Sequence, residues 1–262
     1  MTVRLAYANQ KGGVGKSTMT LQTAFYASSK NLKVLVVDMD GQGNTSAKLA
    51  GRQTIEELLP SITRSYQLFN ADLEKVTPIT CSQGIDLIPA KINDHDLYGQ
   101  ESVSMSKVLA PTKNLETIAG NYDLVIIDCP PSLGRLLTAG LIMADKVIMP
   151  LQVSGFAIDG VGGLFQVIET LKRSGKRNLE VAGILINSYN ARSKQHKKAA
   201  EELRGKAGDL VMDSIISNRS PIDQATNEAK PIWKVTSGAA RPARAEVIAA
   251  IEEIFTRIGI NA

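Results

Sequence analysis

Cysteine is scarce: Cys81 and Cys129 are the only two in 262 residues, and neither has a CxxC or Cys/His companion. Such spacing fits a reduced, cytoplasmic protein better than a disulfide framework or a thiolate zinc site. The two histidines, His95 and His196, stand apart and suggest no metal site. The single tryptophan, Trp233, reads as loop packing rather than a stacking platform. No apolar run reaches the roughly 18 residues that a membrane span needs. The opening residues Thr2 to Ala8 have no basic n-region, long apolar stretch or small-residue cleavage site, so no secretory signal is expected. Internal repeats, low-complexity tracts and Pro/Gly/Ser linkers are also missing. One α/β domain over residues 1–262 is the expectation.

Charge is nearly balanced, at +4 overall, but unevenly placed. Residues 1–150 hold 14 basic and 14 acidic side chains, so the whole excess lies later in the chain. Within residues 172–206, ten basic side chains (Lys172, Arg173, Lys176, Arg177, Arg192, Lys194, Lys197, Lys198, Arg204 and Lys206) face only Glu180, Glu201 and Glu202. Taken alone, the cluster fits a polyanion-binding face and a solvated helix surface equally well.

Short runs rich in Val, Ile and Leu recur between stretches of helical period, as in strands buried on both faces of a parallel sheet. Strands are expected near Arg4–Ala8, Lys33–Asp38, Ile85–Pro89, Leu124–Asp128, Lys146–Pro150, Val181–Ile186 and Leu210–Ile215. Helices are expected over Ser17–Ser29, Leu133–Met143, Ile158–Arg173, Ser193–Arg204 and Ala243–Ile258. The alternation predicts a doubly wound, mostly parallel sheet flanked by helices, with ligands at the carboxyl ends of the strands. Residues 44–113 look less regular.

After the first strand comes Gln10-Lys11-Gly12-Gly13-Val14-Gly15-Lys16-Ser17-Thr18. Its glycines let the backbone curl with N–H groups inward, and Lys16 and Ser17 open a helix whose N-terminus favours anions. Such a loop binds the phosphates of a nucleoside triphosphate, with Lys16 on the β- and γ-phosphates and the Ser17 hydroxyl on Mg²⁺. Gln10 stands where the usual pattern has Gly. Two apolar strands end in carboxylates, Asp38 and Asp128, which could hold Mg²⁺ from the far side. Asp128 is read as the magnesium residue, directly or through a water, with Asp38 as a further candidate. Asp40, just beyond its strand and before Gly41-Gln42-Gly43-Asn44, is the preferred group to orient the attacking water.

Together these segments resemble the ParA/MinD group of deviant Walker P-loop ATPases, and within it the short ParA-type partition proteins. The matching residues are the Lys11 to Ser17 loop, Val37 to Asn44, and Asp123 to Leu133, with weaker similarity over Asn187–Asn190, Asn218–Pro231 and Ala240–Glu246. The resemblance implies ATP and Mg²⁺ as cofactors and an ATP-dependent sandwich homodimer in which Lys11 reaches the partner's nucleotide. It implies ATP contacts from residues 11–18 and an adenine contact from Asn187, which its sequence context alone would read as a turn former. Non-specific DNA binding follows by the same resemblance, with Arg192 and Arg219 similar to the family's basic residues and Lys194, Lys197, Lys198, Lys230, Arg241 and Arg244 nearby, on an edge within residues 172–244. Slow hydrolysis stimulated by DNA and a ParB-like adaptor, and a cytoplasmic, nucleoid-associated location, complete what it implies. The group has Pro where this chain has Gly41.

Two other functions share this loop type. A MinD-like membrane ATPase needs a basic amphipathic helix at its end, whereas residues 243–260 carry Glu246, Glu252 and Glu253 and read as packed on the core, so no membrane partner is expected. An iron–sulfur carrier needs thiolates at a dimer axis, whereas Cys129 reads as a small buried hydrophobe.

Overall fold

The computed structural model describes residues 2–59, 61–153, 157–176 and 178–261, with the side chains of residues 82 and 157–160 also outside the description. Arg177 of the basic run therefore lies outside the described residues. Eight strands form one sheet: β1 (Val3–Tyr7), β2 (Val34–Asp38), β3 (Ile79–Thr80), β4 (Ile85–Ile88), β5 (Leu124–Asp128), β6 (Lys146–Gln152), β7 (Glu180–Tyr189) and β8 (Val211–Ser217). Their spatial order is β3-β4-β2-β5-β1-β6-β7-β8. All neighbours pair in parallel except β3 with β4. The helices are α1 (Lys16–Ser29), α2 (Asn44–Leu49), α3 (Arg52–Leu58), α4 (His95–Gly99), α5 (Ala110–Ala119), α6 (Arg135–Met143), α7 (Ala157–Arg173), α8 (Lys194–Ala207), α9 (Ser220–Asn227) and α10 (Ala240–Ile258).

The continuous apolar runs of β2 and β5 are buried from end to end, as strands covered on both faces must be. Successive side chains point to opposite faces. Ala6, Val37, Val125 and Ile127 enter one core with Leu97 of α4, Leu115 of α5, Leu137 of α6, Ile168 of α7 and Leu203 of α8. Leu5, Tyr7, Val36 and Ile126 enter the other with Phe25 of α1, Ile222 of α9 and Ile251 of α10. The chain leaves β1 toward β2 on one side, while β6 flanks β1 on the other, so the loop after β1 stands at the point where strand order reverses.

Residues 44–113 are more ordered than their sequence pattern suggests, holding α2 to α4, the start of α5, and the β3–β4 pair. The short elements explain the difference: α2 has six residues and α4 five, too few to display a helical period. In α5 and α9 a proline sits in the first turn, where it starts a helix rather than breaking one.

Candidate nucleotide and magnesium site

Polar side chains outside the glycine loop fasten it at both ends. Asn9, buried just after β1, donates from Nδ2 to the Pro150 carbonyl (2.7 Å) and accepts the Lys11 N–H at Oδ1 (2.9 Å). Gly15 has φ +99°, and a Cβ there would lie 2.1 Å from Nδ2 of Asn187. Only glycine fits, on both counts. Asn187 itself, at the end of β7, donates from Nδ2 to the Val14 carbonyl at 2.8 Å. The structure thus places Asn187 beneath the loop, where its amide supports the backbone that would cradle phosphate.

Gly15 is the N-cap of α1 and offers no side chain to the first turn, so N–H groups at this helix end remain available to an anion. Lys16 is 6% exposed, and its Nζ donates to the Lys11 carbonyl at 3.2 Å. Burial pulls its pKa down, against the pull of Asp128 and Asp40. Lys11 itself is exposed. A cavity of about 350 Å³ is lined by Gly12, Gly13, Gly15, Lys16, Ser17, Thr18, Asp40, Gln42, Asn44 and Pro131. Of the residues 11–18 expected at the nucleotide, all but Lys11 and Val14 therefore meet Asp40 around one opening.

The two strand-end carboxylates lie in register on neighbouring strands, Asp38 beside Asp128, and both are buried. Their bonding separates their roles. Asp38 Oδ2 accepts the Ser46 N–H (2.9 Å) and hydroxyl (2.6 Å), and its Oδ1 accepts the Asp40 N–H (3.1 Å). Both oxygens of this candidate magnesium ligand are thus occupied by protein donors, and Asp38 holds the turn on which Asp40 stands. Asp128 Oδ2 accepts the Thr45 hydroxyl at 2.5 Å, while its buried Oδ1 has no partner among the described residues. Burial raises the Asp128 pKa to about 6, against the Thr45 and Ser17 hydroxyls. Burial, then Asp128, pushes Asp38 well above the usual carboxylate range. An orphaned buried oxygen near Lys16 and Ser17 fits a cation or its water. No group of three or more His, Cys, Asp or Glu side chains that could by itself hold a metal ion occurs among the described residues.

Asp40 Oδ1 accepts the Gln42 N–H at 3.0 Å, and burial raises its pKa. Sequence reasoning missed Asn9, Thr45 and Ser46; only their closeness to the glycine loop and the strand end could have flagged them.

The basic residues do not share one condition. Arg192, Lys194, Lys197, Lys198 and Arg241 are exposed, the first four at or just before the start of α8. Arg219 is held by Glu246 of α10 through bonds of 2.7–3.1 Å. Lys230 pairs with Glu228, and Arg244 turns back to donate to the Val235 carbonyl (3.1 Å). The turns carrying Arg192 and Arg219 follow β7 and β8, whose ends pair at Tyr189 and Ser217, on the same rim of the sheet as the glycine loop.

The apolar face of α10, including Val247, Ile251, Ile254 and Phe255, is buried in the core and leaves no such face for a lipid surface. No described helix is long and apolar enough to cross a membrane. Cys81 and Cys129 are both free and buried. Burial raises the Cys81 thiol to about 12 and Cys129 higher still, the reverse of a cluster-ligating thiolate.

Known proteins resemble this chain in sequence and in fold. The AAA domain family matches residues 2–181. The chromosome partitioning protein ParA of Caulobacter vibrioides is 33% identical over 236 residues, covering 87% of this chain and 85% of its own. A Borrelia burgdorferi protein assigned to plasmid partition, solved with AMPPNP, is similar at TM-score 0.78 and 26% identity, covering 98% of this chain and 99% of its own. Cobyrinic acid a,c-diamide synthase from Mycobacterium smegmatis, solved with an ATP analogue and magnesium, reaches TM-score 0.77 at 26% identity, covering 96% and 93%.

Proposed function

The chain belongs to the ParA-type partition ATPases, with ATP and Mg²⁺ as cofactors, and on that premise we propose that it is an ATP-gated, DNA-binding dimer that positions cargo. The observation that carries this reading is the contrast between the two loop lysines: Lys16 is buried in the cavity, whereas Lys11 is exposed at the loop's start. A side chain leaving the loop there is poorly placed to return to its own γ-phosphate, and a second chain's nucleotide is the natural recipient.

In this reading the N–H groups of residues 12–18 and the Lys16 ammonium bind the phosphates, and Asp40 orients the attacking water. Ser17 and the free oxygen of Asp128 would hold Mg²⁺, directly or through water, which neutralises charge on the phosphate oxygens. Asn187 supports the loop and presents its remaining carbonyl oxygen toward the base. Lys11 from the partner adds the last positive charge, so hydrolysis is slow in the monomer. The dimer binds DNA phosphates without sequence preference through Arg192, Lys194, Lys197, Lys198 and Arg241, with Arg219, Lys230 and Arg244 contributing where their intramolecular partners yield. A ParB-like adaptor on the cargo then stimulates hydrolysis and release.

The test is retention on DNA with and without ATP. Wild type is expected to bind only with ATP. Lys16→Ala is expected to lose nucleotide and DNA binding together, and Lys11→Ala to keep ATP but stay monomeric by sedimentation. DNA binding that ignores nucleotide would overturn the proposal.

A further inference from the structure

A large, 40%-exposed aromatic ring, Tyr98, lies against the turn that carries Asp40, with little core burial to explain it. A Cβ built on Gly41 would lie 2.6 Å from Cε1 of Tyr98 and 2.8 Å from two more ring atoms. The ring therefore occupies the volume that any other residue at position 41 would fill, including the family's proline. Proline would restrain this backbone from within, by fixing φ. Glycine supplies no such restraint of its own, and a turn held by its hydrogen bonds alone is a looser mount for a group that must place a water.

The support behind the ring is stiff. Asp94 donates its N–H to the Gly41 carbonyl (2.7 Å), and the Tyr98 N–H donates to the Asp94 carbonyl (2.9 Å). The Asp94 carboxylate is fully buried, paired with Arg64 at 2.6 Å, and accepts the N–H groups of Lys91 (2.9 Å) and Leu97 (3.1 Å). Three residues beyond Tyr98, Glu101 accepts the Arg135 N–H and the Ser132 hydroxyl (3.3 Å), in the loop after β5. The 91–102 segment thus grips the turn after β2 and the loop after β5, which flank the cavity through Asp40 and Pro131. Burial, and then the charges of Asp40, Asp94 and Asp38, raise the pKa of the Tyr98 hydroxyl.

We propose that Tyr98 is a positioning residue for hydrolysis: its ring, packed on the bare Cα of Gly41, holds the Asp40 turn from outside as a proline would hold it from within. The ring acts by shape and does not touch the reacting atoms. The inference rests on the reading of Asp40 as the water-orienting group.

Steady-state ATPase and AMPPNP binding on the full chain test it, with melting curves to confirm folding. Tyr98→Ala is expected to lower kcat about fivefold or more while KM and AMPPNP affinity stay within about twofold, and Tyr98→Phe to keep the rate. Gly41→Ala is expected to be slow, and the double variant Gly41→Ala/Tyr98→Ala faster than Gly41→Ala alone, because the clash is gone. An unchanged kcat in Tyr98→Ala, a Tyr98→Phe as slow as Tyr98→Ala, or a double variant no faster than Gly41→Ala would each overturn it. Asp40→Asn separates the two layers: if it keeps its rate, the Asp40 reading falls and the inference with it. If Asp40→Asn is slow and Tyr98→Ala is normal, only the inference falls.

Discussion

One amide, that of Asn187, supports two loop residues at once: it donates to the Val14 carbonyl and fills the space where Gly15 would carry a side chain. Removing it leaves a buried carbonyl without a donor and a void beneath the loop, at a cost of about 1–3 kcal/mol. Asn187→Ala is accordingly expected to weaken both ATP and GTP, and ATP the more because the proposed role turns the amide's carbonyl oxygen toward the base, read by titration calorimetry; a loss confined to ATP would refute the loop-supporting role. At this scale the residues legible in the sequence were those adjoining the glycine loop or a strand end: Lys16, Ser17, Asp38, Asp40 and Asp128. The rest were not, because their partners are remote in sequence. Thr45 meets Asp128, and Arg64 meets Asp94, only after the sheet has formed. Asp38 stands out in the sequence only as a further magnesium candidate; its commitment to Ser46 and the Asp40 turn depends on α2, a helix too short to read.

Among the elements, α10 is a clasp on β8 as well as a lid on the core. Glu253 accepts the N–H groups of Asp213 (3.0 Å) and Ser214 (2.8 Å), and Glu246 accepts that of Ser217 (2.9 Å). Burial tends to raise both carboxyls, but these bonds with Arg257 and Arg219 leave both below their ordinary value. An acid depressed in the folded state stabilises above its unfolded pKa, about 4.3, and that contribution is lost as pH falls through the lower folded value. Glu253→Gln is therefore expected to cost about 1 kcal/mol at pH 7, after allowance for partial solvent screening, and almost nothing near pH 3. Denaturant melts at the two pH values check this; an equal cost at both would refute it. The acidic residues of this helix were visible in the sequence and argued for core packing. That they bond to backbone N–H groups was not, since the register of α10 on β8 is a tertiary fact.

For the whole molecule, the basic tally overstates what a polyanion meets. Arg219, Lys230 and Arg244 already have partners within the chain, whereas Arg192, Lys194 and Lys197 have no carboxylate partner among the described residues. If the proposed DNA role holds, the triple change Lys194→Glu, Lys197→Glu and Lys198→Glu is expected to abolish ATP-dependent DNA retention while sparing ATP-dependent dimerisation. Arg219→Ala should cost less and flatten the salt dependence by about one phosphate contact or fewer. Filter binding across a salt series reads both. Equal losses for the two variants would mean that Arg219 leaves Glu246 in the complex.

The clasp on β8 has a counterpart at the far side of the sheet, where β3 offers only two residues, paired antiparallel to β4. One border of the sheet is thus too short to template a neighbour, and on the other three N–H groups are already taken by carboxylates. If the proposed ATP-gated dimer forms, it gains from this, because strand addition and amyloid-like growth, which no nucleotide could reverse, have little edge to start from. In that proposed dimer, self-association is left to the rim that carries the phosphate loop, where hydrolysis can undo it.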